Sequence, residues 1–388
     1  YDICACLVGS EMCIRDRAYL WGDVPLFLHA EQPADIYKPR TPVAQIWEQV
    51  IADFTAATAL PKRSEYSEED TGRVTSGAAY AMLGRTYWYN RDFENAYKML
   101  YVLVEGEQKG EYELDPDFAT QWLNPNSNLR ESIFEIQYVT NGKNWDESTG
   151  WNGVWFIPSS DGGYGFHLPT QHLLDAFDPE DPRITWTFVR QGDQFVGNDF
   201  VTGDANYPSR FFDRKHFVPM SETLNAASPV YPQDVEMTVY VIRYADVLLM
   251  YAEACLEKGD IVGARKYLNQ VRKRARESSP LDAKRVIQKY VPDTKPTSLP
   301  DITSDNVAEV RLAIWNERRF EFACEGIRRM DLMQQERYGE IMTAVYSNGY
   351  ATEDVDKGRY YTKERELFPI PQNDIDLSRG ALVQNPGY

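Results

Sequence analysis

Two helical hairpins, far apart in the chain and alike in spacing, constrain the fold more than any other feature. Residues 75–100, "TSGAAYAMLGRTYWYNRDFENAYKML", read as two helices: Ser76 caps the first, and Asn90–Asp92 make a short turn in which Asp92 caps the second. At 240–276, Tyr244, Val247, Leu248, Tyr251 and Cys255 fall on one helical face, Gly259 ends that helix and Asp260 caps the next. A shift of 168 positions lays Asp92, Phe93, Ala96 and Leu100 on Asp260, Ile261, Ala264 and Leu268. Upstream, "TPVAQIWEQVIADFTAATAL" (41–60) places Ile46, Val50, Phe54 and Ala57 on one face, with Thr41 as N-cap and Pro42 at the first helical position. These patterns predict a mainly α protein.

The small residues at matched positions resemble tetratricopeptide hairpins, in which Leu83-Gly84-x-x-Tyr87 supplies the first helix and a small Ala lets the second come close. A tandem array would repeat about every 34 residues. Here a long irregular insert separates the hairpins, so the helices form a scaffold that carries something else; two unrelated antiparallel helix pairs are the plainer alternative. The insert, about 140–235, follows an expected strand at 132–139. Between 158 and 232 it holds eight of the 22 prolines and six glycines, which favours loops and short strands. A second Pro, Thr and Asp-rich connector spans 280–304, and helix resumes over 306–326, with Gly326 as its expected stop.

Bulk properties remove several classes of function. At 388 residues the chain suggests two lobes or one large fold with insertions. Its net charge of −18 repels phosphate backbones, so nucleic acid is not an expected partner. The most apolar segment, 239–256, is interrupted by Arg243, Asp246 and Glu253 and does not read as a membrane span. Three of the five cysteines, Cys4, Cys6 and Cys13, lie in the opening "YDICACLVGSEMCIRDR", which has neither a leader pattern nor a lipid-attachment pattern.

Five segments in order resemble the SusD/RagB family of Bacteroidota nutrient-binding outer-membrane lipoproteins: "WGDVPL" (21–26), "DPEDPR" (178–183), "IRYADVLLMYAEA" (242–254), "ERRFEFACEGIRRMDL" (317–332) and "LFPIPQNDIDLSRGALVQNPGY" (367–388). The resemblance divides the chain into an N-terminal helical region at 18–130 and a C-terminal region at 131–388 that includes the insert. It implies a cell-surface glycan-binding protein, with peptides bound by some members. Such a protein closes over a SusC-like TonB-dependent transporter, is held to the outer membrane by a lipid anchor and carries out no chemistry. It also implies that the leader, the lipidated cysteine and a further N-terminal segment are missing here. Residues 1–17 resemble a translated sequencing-adapter remnant and no part of the family; a metal-binding Cys-x-Cys and a divergent leader are the rival readings. A tetratricopeptide module that binds a peptide is the contrasting function.

The residues of the last two motifs read as structural. Arg318, Arg319 and Arg328 alternate with Glu317, Glu321, Glu325 and Asp331 at spacings of three and four, which predicts ion pairs that lock the helix. In 367–388, Pro369 and Pro371 set an extended strap whose Leu367, Phe368 and Ile370 dock on helices. Asp178, Glu180, Asp181 and Arg183 are explained by capping and pairing.

Enzyme signatures are missing, including G-x-S-x-G, the P-loop, H-E-x-x-H and a dinucleotide fingerprint, and no cofactor is expected. With 59 acidic residues, some chance pair of carboxylates is always available to a hydrolase reading. His167 and His172 do not share a helical face and are not read as metal ligands. Cys255 and Cys324 read as buried hydrophobes within helices. The informative stretch is "NGKNWDESTGWNGVWF" (141–156), with Trp145, Trp151 and Trp155 among glycines. Aromatic planes stack on the C–H faces of sugars while amides and carboxylates pair with hydroxyls. The expected ligand-binding residues are therefore Trp145, Trp151, Trp155, Asn144, Asp161 and Tyr164, with Trp186 and Tyr207 as further candidates. Inward packing is the alternative for Trp155, at the start of a strand, and also for Trp145 and Trp151.

Overall fold

The computed structural model describes residues 14–28, 37–123, 126–138, 155–156, 164–190, 211–216, 237–278, 299–347 and 361–388. Trp145, Trp151, Asn144, Asp161 and Tyr207 lie outside them, as do Cys4, Cys6 and Cys13. The described fold is mainly α. Two compact units are present, one made of residues up to Met99 together with Arg329–Tyr388, the other of Leu100–Arg328.

In the first unit, helix α1 runs through 14–21, followed by α2 (Val43–Ala57) and α3 (Ser76–Tyr89); α4 (Phe93–Val104) crosses the boundary. Helix α2 buries Ile46, Val50, Phe54 and Ala57, the face its periodicity predicts. Its cap differs from expectation. Thr41 pairs with Val24 in a short β-bridge, Pro42 occupies the N-cap position, and the Val43 N–H donates to Asp23 Oδ1 at 2.8 Å. Proline cannot cap through a side chain, so a carboxylate from "WGDVPL" takes that duty. The α3 cap is Thr75, one residue before Ser76, with its Oγ1 accepting from the Ala78 N–H at 3.0 Å. Asp92 caps α4 as expected, accepting from Asn95 N–H at 3.1 Å. Helix α1 begins inside the opening 1–17 stretch: Arg15 is buried and donates to Met82 Sδ at 3.7 Å.

Among its described residues the second unit carries four strands, in two antiparallel pairs: β1 (Ser132–Ile136) with β4 (Val239–Arg243), and β2 (Phe188–Arg190) with β3 (Phe211–Asp213). Between β1 and β2 lie two four-residue helices, α5 (Gln171–Leu174) and α6 (Ile184–Thr187), and no long helix occurs among the described insert residues. The scaffold is α7 (Tyr244–Glu257), α8 (Ile261–Glu277) and α9 (Val307–Glu321), which pack on one another as a tetratricopeptide-like set. Gly259, at φ +84°, and the Asp260 cap on the Gly263 N–H at 2.8 Å turn α7 into α8. Helix α7 is buried from Tyr244 to Leu256 on every face. Helix α9 stops at Glu321, before Gly326, and Cys324 adopts φ +66° in the following turn. Cys324 is therefore half-buried outside the helix, whereas Cys255 is buried within α7.

Ion pairing around α9 is denser than intrahelical spacing implies, because the partners come from other elements. Glu321 accepts from Arg243 at 2.7 Å, from Arg183 at 2.9 Å and from Arg274. Arg183 also pairs with Glu317 and Asp181, each at 2.7 Å; Arg243 and Arg274 both pair with Glu131. Lys215 and Arg243 hold Glu325, and Arg272 holds Glu317 at 2.8 Å. Arg318 pairs with Asp246 of α7 at 2.5 Å, and Arg319 donates to the His172 carbonyl at 3.1 Å. Arg183, Arg243 and Glu321 are fully buried, so every charge depends on its partners.

The remaining helices, α10 (Arg328–Gln334), α11 (Tyr338–Ser347) and α12 (Gln372–Leu377), precede or belong to the strap. The strap docks on α1 and the residues after it. Phe368 N–H donates to Leu20 O at 2.7 Å, Trp21 Nε1–H to Pro369 O at 3.2 Å, and Asn385 Nδ2–H to Trp21 O at 3.0 Å. Ile370 is buried; Phe368 stays 37% exposed, its ring edge-on to Trp21 and under the Arg329 guanidinium.

Two outcomes follow from this packing. Gly22 holds φ +71°, and a Cβ there would stand 2.9 Å from Leu367 Cδ1, so Gly22→Ala should cost more than about 1 kcal/mol, read by denaturant unfolding. Glu321→Gln should cost roughly 3–5 kcal/mol, since three buried guanidiniums lose the one counter-charge they share. Burial pushes the Glu321 pKa up, but Arg274, Arg243, Arg183 and Lys215 outweigh it and hold the carboxyl below its ordinary range. The associated stability is present above the unfolded value of ~4.3 and is lost as pH falls below it. The acid side of a Tm-versus-pH profile should therefore be shallower in Glu321→Gln than in the parent.

Candidate functional site

An exposed aromatic face stands on the insert. Trp155, Tyr164 and Phe166 are 45%, 52% and 54% exposed, values that set them apart from the buried Trp88, Trp122 and Trp186. Phe166 stacks on Trp155 with centroids 5.7 Å apart and planes at 17°; Tyr164 lies 5.2 Å from Trp155 and 6.0 Å from Phe166. The Phe166 N–H donates to Trp155 O at 2.7 Å, which ties the two segments together. Gly165 between them adopts φ +62°, a left-handed turn that glycine accommodates, and it brings the Tyr164 and Phe166 rings into a stack with planes at 16°.

The aromatic face has a polar foundation. Phe156, next to Trp155, stacks on His216 at 4.8 Å and meets His167 edge-on at 5.8 Å. Both imidazoles converge through Nδ1 on Asp213 Oδ2, at 3.1 Å from His167 and 2.7 Å from His216, while the Lys215 backbone N–H donates to Asp213 Oδ1 at 2.9 Å. The hydrogen bond to Asp213 raises the His167 pKa. Burial would raise that of Asp213, but His216 and His167 overcome it and hold the carboxylate ionised. Lys215 continues inward: Nζ donates to Glu325 at 2.7 Å and to Glu321 O at 2.8 Å, and lies 4.6 Å from the Trp122 ring centroid. Burial lowers its pKa and Glu325 opposes that. The exposed rings thus connect, contact by contact, to the buried ion network.

Trp155 and Tyr164, two of the six expected site residues, are brought together here. Trp155 is exposed, not packed inward. Trp145, Trp151, Asn144 and Asp161 lie outside the described residues. Trp186 is in a core cluster with Phe118, Trp122 and Met237 and is unavailable to a ligand. Phe166 is not among the expected residues; only its closeness in sequence to Tyr164 signals it. His167 shares the Asp213 carboxylate with His216, residues 46 and 49 positions away that no local spacing reveals; His172 faces Arg319 instead.

Among the described residues, no helix is long and apolar enough to cross a membrane. Residues 130–388 match the SusD family. "SusD-like protein P2" of Formosa agariphila is 24% identical over 382 residues, covering 95% of this chain and 70% of that relative. A "SusD-like protein" of Bacteroides ovatus is 25% identical over 430 residues, covering 98% and 73%. Among solved structures, a SusD superfamily protein from Bacteroides vulgatus has a TM-score of 0.72 at 23% identity, covering 99% of this chain and 77% of that one. Surface glycan-binding protein A of Bacteroides thetaiotaomicron, in complex with laminarihexaose, has a TM-score of 0.71 at 20% identity, covering 98% and 77%. With the family match spanning about two thirds of its length and the same motifs joined in the buried ion network, this chain belongs to the SusD family.

Proposed function

We propose that this protein binds an oligosaccharide on the Trp155–Tyr164–Phe166 face, without chemical conversion, and passes it to a SusC-like TonB-dependent transporter from the outer surface of the outer membrane. The exposed, mutually stacked rings carry the reading. They offer flat apolar area at little entropic cost, which suits the C–H faces of a sugar chain. Trp145, Trp151, Asn144 and Asp161 are proposed to extend this surface with further planes and hydrogen-bonding groups. The laminarihexaose complex of a fold neighbour supports a glycan as ligand class; the transporter and the lipid anchor are family expectations. A peptide-binding tetratricopeptide groove is less well supported, because α7 is buried on all sides and presents no free face.

Stacked aromatics cost about 1–3 kcal/mol each when truncated, by analogy with base stacking. Trp155→Ala and Phe166→Ala should each weaken glycan binding roughly 5- to 150-fold and leave Tm almost unmoved, because half-exposed rings support little core. The measurement is calorimetric titration against a panel of soluble oligosaccharides that includes laminarihexaose. Parent-like affinity of both variants for a confirmed ligand would exclude the face. Binding should release no reducing sugar; release abolished by a single Asp or Glu replacement would instead make the protein a hydrolase.

A further inference from the structure

The His167–Asp213–His216 cluster has the composition and reach of a metal site. One ligand atom from each residue lies within 4.8 Å of the others. Two imidazole nitrogens and one carboxylate oxygen suit zinc and its neighbours in the transition series. Calcium and magnesium, which take six or more oxygen ligands, are poorly served by a single carboxylate. We propose that His167, Asp213 and His216 bind one zinc-type divalent transition-metal ion, which clamps the segment bearing Tyr164 and Phe166 to the end of β3.

Geometry carries this in three steps. First, the donors converge: both Nδ1 atoms face the same Asp213 oxygen, at 3.1 and 2.7 Å. Two ligands of one tetrahedral zinc, with bonds of about 2.0–2.2 Å, stand roughly 3.3–3.6 Å apart, so each of these two contacts needs to lengthen by less than about 1 Å. Second, the donors are held in place. The Lys215 N–H secures the other Asp213 oxygen, Phe156 stacks on the His216 ring, and Trp122 meets that ring edge-on at 6.2 Å. Metal sites depend on such supporting contacts to orient their ligands. Third, there is access. The Asp213 side chain is fully buried, that of His216 is 11% exposed and that of His167 is 41% exposed, so solvent reaches one side and water can complete a tetrahedron. The site has a mechanical consequence. His167 directly follows Phe166, and the ion would join it to residues 46 and 49 positions away, holding the aromatic face from beneath. The metal site stands whether or not that face binds glycan.

The test uses the full chain, without a histidine tag and stripped of metal, titrated with zinc chloride by calorimetry. One equivalent should bind saturably and raise Tm, and calcium chloride should not. His167→Asn, which tolerates the φ of +60° at that position, and His216→Gln should each weaken zinc by at least about a hundredfold, the upper end of what supporting-contact losses cost. A Cys4/Cys6/Cys13→Ser variant should bind as the parent does. Loss of binding in that cysteine variant, survival of binding in both histidine variants, or no saturable uptake would each overturn the proposal. If a histidine variant does not fold, the near-ultraviolet and visible spectrum of the cobalt-loaded parent decides: visible d–d bands without thiolate charge transfer support the site, and thiolate charge transfer in the near ultraviolet refutes it. Retained zinc binding in Trp155→Ala separates this inference from the glycan reading.

Discussion

The buried carboxylate of Glu321 is the constraint on which the second unit depends. It lies fully buried at the end of α9, so it requires Arg183, Arg243 and Arg274 together. Each of those cations reaches a further carboxylate: Asp181 and Glu317 for Arg183, Glu131 for Arg243 and Arg274, and Glu325 for Arg243. A pair of this kind contributes little net stability over an apolar core of the same shape, but removing one member leaves an unpaired buried charge. The arrangement therefore selects one packing of α7, α8, α9 and the insert over others of similar apolar burial. That accounts for the motif residues: "DPR", "IRYADV" and "ERRFEFACEG" lie far apart in the chain and supply the two halves of one network.

The same network supports the exposed aromatic face. From Glu321 the contacts run through Lys215 to β3 and Asp213, then through His216 and Phe156 to Trp155 and Phe166. Irregular segments rarely hold exposed rings in fixed mutual orientation without such a foundation. Here the described insert residues borrow rigidity from the helices through a few polar bonds, which fix the orientation of the exposed rings.

Departures from the sequence expectations have specific causes. Caps at α2 and α3 moved because a side chain from another segment, or the adjacent threonine, offered a better acceptor than the nearest hydroxyl. Arg318 and Glu321 are three residues apart, an intrahelical pairing spacing, yet they pair across elements, where burial strengthens the attraction between the charges. Phe166 is not singled out by the sequence, because one Tyr-Gly-Phe triplet carries no periodic signal, whereas 141–156 is dense in tryptophan.

Periodicity and punctuation alone determined the helical scaffold: the buried face of α2, the turn at Gly259–Asp260 and the α7–α8 hairpin all follow from local chain geometry, which side-chain spacing encodes directly. Motif order was equally legible as a family resemblance. Only the tertiary structure decided which charges meet, that Trp186 faces the core while Trp155 faces solvent, and that His167 finds Asp213 and His216. Those outcomes depend on contacts between residues tens to more than a hundred positions apart. No local pattern encodes them, because burial and pairing at such separations are properties of the packed chain.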